Sequence, residues 1–387
     1  MGSRRKTGSF LTGRLPAGLV SDGGGLPDRT DSVRENVHSF GAVWDCSRFG
    51  PLTAVSRRAM ATDFEVSLND PCPDGFSQVP ATEIALAMLD EIDRVESILS
   101  VFRADSLAGR VNALASEMDV PVTDEFLGWL EYALEIGRQT NNAFDVMSGP
   151  LWRAWGFARR QGAFPTEAQR QAALAASGPN HLTVDALART VRFDDPACSL
   201  NFGAIGKGIG LDGAARIAEQ AGLTDFLVQG GKSGAVARGG RGGDFSLSAG
   251  KNVWTVNVAD PLRPKMPLAV IRLCDRALAT SGSAEQFFIQ NGRRYSHIID
   301  PVTGFPASGI LSTTVLADTA AEADALSTAF FVGGEKLAAD YCRSHPRAAA
   351  LLVVEDPSAA GRRMTAFNMT PDILSVAAPE IPFDVEC

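Results

Sequence analysis

Asp324 and Thr328 stand four residues apart in the segment Ala323-Asp324-Ala-Leu-Ser327-Thr328-Ala. On a helix that spacing puts both side chains on one face. A carboxylate and a hydroxyl are hard oxygen donors, and Mg2+ takes such donors while keeping part of its water shell. The local alternative is that Asp324 caps the helix or forms a salt bridge in its first turn. A second cluster is Asn201-Phe-Gly-Ala-Ile-Gly-Lys-Gly-Ile-Gly-Leu-Asp212, where glycines at 203, 206, 208 and 210 open a helix. Backbone N–H groups there can approach a phosphate, the helix N-terminus favours negative charge, and Lys207 adds a full positive charge. The same glycines would equally serve close helix–sheet packing. The segment is not a Walker A loop, because Asn201 and Gly208 stand where Gly and Ser or Thr are required, and Leu211 stands where a G-x-G-x-x-G starting at Gly206 would need its third glycine.

His297 lies in Tyr295-Ser-His-Ile-Ile-Asp300-Pro-Val-Thr-Gly304, downstream of Thr280-Ser281-Gly282. Asp-Pro-x-Thr-Gly makes a good turn. An imidazole can act as a base near neutral pH, or it can be a satisfied structural histidine. The fourth feature, Asn142-Ala143-Phe144-Asp145 through Trp152, Trp155 and Phe157, mixes aromatic rings with one acid. It reads as a buried aromatic cluster or as a wall for a planar ring.

The elements that must position these residues are legible from periodicity. Phe64, Val66 and Leu68 alternate with Glu65 and Ser67, a strand pattern. Ile84, Met88, Ile92, Val95 and Leu99 mark one face of a helix. A second helix is predicted over Asp124–Gln139, with Thr123 as N-cap. A third should start near Gly206 and stop at Gly222, where glycine suits the position after the last turn. Strands are predicted at Phe226–Val228, Trp254–Val258, Leu268–Leu273, Leu311–Leu316 and Ala349–Val354. Between the last two, helices are predicted over Ala321–Val332 and Glu335–Cys342. Strands mixed with helices give an α+β or mixed α/β fold. Residues 1–55 are rich in Gly, Ser, Arg and Asp without a sustained period, so a disordered N-terminal extension is expected before a domain over 56–387.

The chain has 387 residues and a net charge of −9 from 36 basic and 45 acidic side chains. That balance excludes a broad nucleic-acid footprint, which needs a basic face. At 45% hydrophobic and 21% charged residues the composition is that of a globular protein. The six cysteines include no C-x-x-C pair, a spacing that argues against a zinc site or a disulfide scaffold. No apolar run approaches the ~20 residues of a membrane helix, so no transmembrane segment is expected. Arg4-Arg5-Lys6 is not followed by an apolar stretch, and no cysteine follows one, so neither an export signal nor a lipid anchor is read and a cytoplasmic location is expected.

In this order, together with Met60-Ala61-Thr62 and Leu99-Ser-Val-Phe102-Arg103-x-Asp105-Ser106, the segments resemble those of the FAD:protein FMN transferases, the ApbE-type flavin transferases. The resemblance runs from about Ser56 to Val354. It implies a single T-fold-like α/β domain with a flavin cleft. It also implies Mg2+-dependent transfer of FMN from FAD to a Ser or Thr hydroxyl of a target protein, with release of AMP. By resemblance, Asp324, Thr328, Ser327 and the backbone carbonyl of Ala204 would ligate the metal. Lys207 and Asn201 would lie by the nucleotide, and Met60, Phe102, Ala143, Phe144 and Asp145 would line the ring and adenosine pockets. His297 and Ile298 would pack by the flavin, with His297 as general base and Asp324 as the essential metal anchor. Asn201 and Lys232 replace acidic residues usual in the family. They motivate a second reading, a protein that binds FAD without cutting it; a third is a pyrophosphatase that yields FMN and AMP with water in place of the acceptor.

Overall fold

The computed structural model describes residues 32–35, 52–69, 79–159, 162–241, 252–283, 287–359 and 361–386. In chain order it begins with β1 (Ser32–Glu35), β2 (Leu52–Ala59) and β3 (Thr62–Asn69), followed by α1 (Ala81–Leu99) and α2 (Leu107–Leu114). Next come β4 (Val120–Pro121), α3 (Asp124–Gln139), α4 (Gly149–Ala154), α5 (Glu167–Ala175), β5 (Leu182–Asp185) and β6 (Thr190–Phe193). The second half starts with α6 (Gly206–Gln220), β7 (Phe226–Gly230), β8 (Gly234–Arg238), β9 (Trp254–Ala259), β10 (Pro267–Leu273) and β11 (Arg276–Gly282). It closes with β12 (Phe287–Gln290), β13 (Arg293–Ser296), β14 (Ile310–Ala317), α7 (Ala320–Ser344), β15 (Ala349–Asp356), β16 (Gly361–Phe367), β17 (Leu374–Val376) and β18 (Phe383–Glu386). The fold is mixed α/β, as expected. Among the described residues no helix is long and apolar enough to cross a membrane.

Among the described residues ten strands form one sheet in the order β1-β2-β3-β7-β8-β11-β14-β15-β16-β18. All neighbouring pairs are antiparallel except β16 and β18. The expected boundary near Ser56 falls inside β2, and Ser32–Glu35, placed in the extension, pair with β2. The rest of the expected extension, residues 1–31 and 36–51, lies outside the described residues.

Side chains along the central strands alternate between two cores, as the pleat requires. Val228 and Val236 face α1 and α6. Val315, Ala350 and Leu352 face α7. Leu227, Ala235, Leu316, Leu351 and Val353 face the small sheet β17-β10-β9. Both faces are covered, so β14 is buried at every residue, its central Ser312, Thr313 and Thr314 included.

The helices form for the reasons the sequence offers. The Thr123 hydroxyl accepts from Phe126 N–H at 3.2 Å and starts α3 at its expected residue. α6 ends at Gln220, and Gly222 follows with φ +82°. α7 spans both of the helices expected there. Its break is at Gly334, whose φ of 67° and ψ of −164° are not helical.

Candidate active site

The N-terminal ends of α6 and α7 meet at Gly208. A Cβ there would collide with the Ala320 carbonyl oxygen, so only glycine allows this approach. Asp212, one turn further along α6, accepts from Ala320 N–H at 2.7 Å and Ala321 N–H at 2.9 Å and so caps α7. The Thr319 hydroxyl accepts from Glu322 N–H at 3.2 Å. With those capping positions filled, Asp324 faces the head of α6 instead.

Asp324 is 4% exposed. Its Oδ2 accepts from Gly208 N–H at 3.1 Å, and its Oδ1 lies 3.2 Å from the Lys207 ammonium. A buried carboxylate persists because it is paired and hydrogen-bonded on both oxygens. One helical turn on, hydroxyls gather. Ser281 Oγ on β11 is 2.8 Å from Ser327 Oγ and 3.1 Å from Thr328 Oγ1. Ser327 Oγ also donates to the Asp324 carbonyl at 2.9 Å. Asp324, Lys207, Ser327 and Thr328 are therefore brought together. Ser281 is added by the fold; its only sequence signal was the Thr280-Ser281-Gly282 string.

Ala204 lies in the turn before α6, where the Phe202 carbonyl accepts from Ile205 N–H at 3.1 Å and Gly206 N–H at 2.7 Å. Asn201 opens that turn by accepting from Gly203 N–H at 2.9 Å, and its own N–H donates to the Val146 carbonyl at 2.7 Å. The glycine-rich segment is thereby tied to the Phe144–Met147 loop. There Asp145 Oδ1 accepts from Met147 N–H at 2.8 Å. Burial raises the Asp145 carboxyl to about 6, against these backbone N–H groups, which lower it. Burial likewise raises Asp212 to about 6, and the nearby Asp324 charge adds to the effect.

Of the expected pocket residues, Phe102 is 66% exposed and meets Trp152 edge-to-face at 5.7 Å, so its ring is free to meet a ligand. Phe144 is a correction: at 2% exposure it is a core residue, and it cannot wall a pocket. Ala143 lines an open cavity of 310 Å³ together with Thr140, Asp300, Val302 and Lys336. Met60 and Ala61 form the two-residue turn of the β2–β3 hairpin, with φ of 46° and 63°. Met60 Cε sits over Gly210, where a Cβ would come within 3.1 Å of it. Ala61 is exposed.

His297 follows β13 and packs edge-on against Phe157 at 6.3 Å, at the border of a ring cluster built on fully buried Trp155. Trp155 Nε1–H donates to the Gly304 carbonyl at 2.8 Å, fixing the turn in which the Asp300 carbonyl accepts from Gly304 N–H at 2.8 Å. Ile298 is buried, and its N–H donates to Ser296 Oγ at 3.1 Å.

The chain is similar to known proteins in sequence and in fold. The ApbE family's sequence model matches residues 60–352. The FAD:protein FMN transferase of Salmonella typhimurium is 32% identical over 287 residues, covering 73% of this chain and 80% of the relative. That of Escherichia coli K12 is 29% identical over 313 residues, covering 79% and 86%. Among solved structures, the ApbE protein of Thermotoga maritima superposes with a TM-score of 0.70 at 28% identity, covering 79% of this chain and 94% of its own. The flavin transferase ApbE of Vibrio cholerae gives 0.69 at 25% identity, covering 88% and 97%.

Proposed function

The chain belongs to the ApbE family, and from that premise we propose that it moves the FMN half of FAD onto a Ser or Thr hydroxyl of an acceptor protein, releasing AMP with Mg2+ as cofactor. The observation that carries this reading is the joining of Asp324, Lys207, Ser281, Ser327 and Thr328 where α6, α7 and β11 meet. Apart from the lysine, every donor there is oxygen, arranged by one buried carboxylate, and that chemistry suits Mg2+ better than a softer ion. Asp324 and Thr328, with the Ser327 hydroxyl and the Ala204 carbonyl, would hold the ion. When bound, it supplies neutralising charge to the pyrophosphate.

The rest of the work falls to the chain's own groups. Lys207, at the head of α6, adds positive charge where the helix N-terminus already favours a phosphate. Phe102 and Met60 offer apolar surface to the flavin ring, and Asn201 and Asp145 offer polar edges beside the α6 turn. His297 takes the proton of the acceptor hydroxyl at a ring nitrogen. The acceptor oxygen bonds to the FMN phosphorus, the bond from that phosphorus to the bridging oxygen breaks, and AMP leaves with that oxygen. Holding acceptor and phosphorus in line supplies much of the rate.

The test is incubation with FAD, Mg2+ and a Ser/Thr acceptor. The acceptor should become covalently fluorescent, one AMP should appear per label, and EDTA should stop both. Recovery of intact FAD with unlabelled acceptor would refute the proposal. AMP formed equally without acceptor would mark a hydrolase instead.

A further inference from the structure

His181, Asp194 and Cys198 come together although their spacing matches no metal-binding pattern. His181 ends the short 3-10 turn Pro179–His181 before β5. Asp194 follows β6, which pairs with β5, and its N–H donates to the His181 carbonyl at 3.2 Å. Cys198 lies four residues further on. One donor atom from each side chain lies within 4.8 Å of the other two; among the described residues this is the one such grouping of metal-binding types. His181 Nδ1 and Asp194 Oδ1 are 2.7 Å apart.

We propose that these three side chains form a Zn2+ site, separate from the oxygen-lined position at Asp324, with a fourth position open to water. The donor set is a thiolate, an imidazole and a carboxylate. Zn2+ accepts all three, whereas Mg2+ and Ca2+ select oxygen. Zinc–ligand bonds of about 2.0–2.3 Å require the donors to close in slightly, and the structure shows which of them can move. Cys198 is 2% exposed and fixed: on either side of it, Arg153 donates to the Ala197 carbonyl at 2.6 Å and to Ser199 Oγ. The Asp194 side chain is 62% exposed and can swing onto an ion, while His181 stands between them at 29%. The buried thiol is the anchor and the exposed carboxylate closes the site.

The position gives the ion a task. From Cys198 the chain runs to Leu200, whose N–H donates to Asn112 Oδ1 at 2.7 Å, and to Asn201 at the turn before α6. A metal at Cys198 braces this lead-in to the small β5–β6 sheet without touching the flavin chemistry.

The experiment uses full-length protein stripped with EDTA and titrated with Co2+, a visible stand-in for Zn2+. A thiolate-to-cobalt charge-transfer band should saturate at one equivalent, persist in excess Mg2+ and bleach on adding Zn2+. It should vanish in Cys198→Ala, and His181→Ala, at a partly exposed position, should weaken Zn2+ binding roughly 100-fold while leaving the circular dichroism unchanged. Zn2+ should raise the thermal midpoint of the parent protein and not that of His181→Ala. Absence of the band in the parent protein, or an unchanged band in Cys198→Ala, would overturn the proposal.

Discussion

Asp324 is held by an ammonium and a backbone N–H, so its charge is compensated without water. Asp324→Asn keeps the shape and the Gly208 contact but removes the charge proposed to anchor Mg2+. We expect Mg2+-dependent AMP release to fall at least about 100-fold with a near-parental thermal midpoint. A second prediction concerns the acids that burial raises to about 6, Asp145 and Asp212, against an ordinary 3.8. Between about pH 4 and pH 6 the folded chain keeps protons there that the unfolded chain has released, so their contribution to stability is present at low pH and lost as pH rises through about 6. Glu335 and Asp318, lowered by Arg363 and Arg347, act in the opposite sense and lose their contribution only at still lower pH. The thermal midpoint should therefore rise on going from about pH 7 to about pH 5, and Asp145→Asn should remove about 1–2 kcal/mol of that gain. The sequence placed Asp324 and Thr328 one turn apart on a helix and Lys207 at a helix start, because a helical repeat and a charge at a helix start are local facts. It did not foretell Ser281, whose partners lie 46 and 47 positions away. Phe144 misled because an aromatic side chain is apolar whichever side of its loop it faces.

At the scale of elements, caps and breakers were legible. Thr123, Gly222 and Gly334 stop or start helices through their own side chain or backbone freedom, which needs no distant partner. Strand order was not. β8 is followed in the large sheet by β11, because β9 and β10 leave to cover the other face, and only long-range packing decides that. The β2–β3 turn carries a local conflict. Ala61 sits at φ 63°, a left-handed conformation that costs an L-residue with a Cβ roughly 1 kcal/mol more than glycine. Ala61→Gly should therefore stabilise the fold by about 0.5–1 kcal/mol, with Met60 still seated over Gly210. The check is a higher urea midpoint with an unchanged denaturant slope.

Across the whole molecule the large sheet separates two cores, and the candidate active site belongs to the helical side. The other side has its own charged anchor. Asp260, fully buried, pairs with Arg362 at 3% exposure and accepts from Leu262 N–H at 2.9 Å. Asp260→Ala removes the carboxylate that pairs with buried Arg362 and with Arg263, and should cost about 3–5 kcal/mol in chemical denaturation. Flavin transfer per folded molecule should be unaffected, since Asp260 follows β9, and β9 and β10 lie across the large sheet from α6 and α7. The margins of that sheet have a further consequence. Its outermost strands, β1 and β18, are four residues each, and the exposed positions of β18 include Asp384 and Glu386. Two copies meeting along this border would find a short template and like charges facing each other, so the seven-residue β16 behind it is kept from seeding stacks of chains into fibrils.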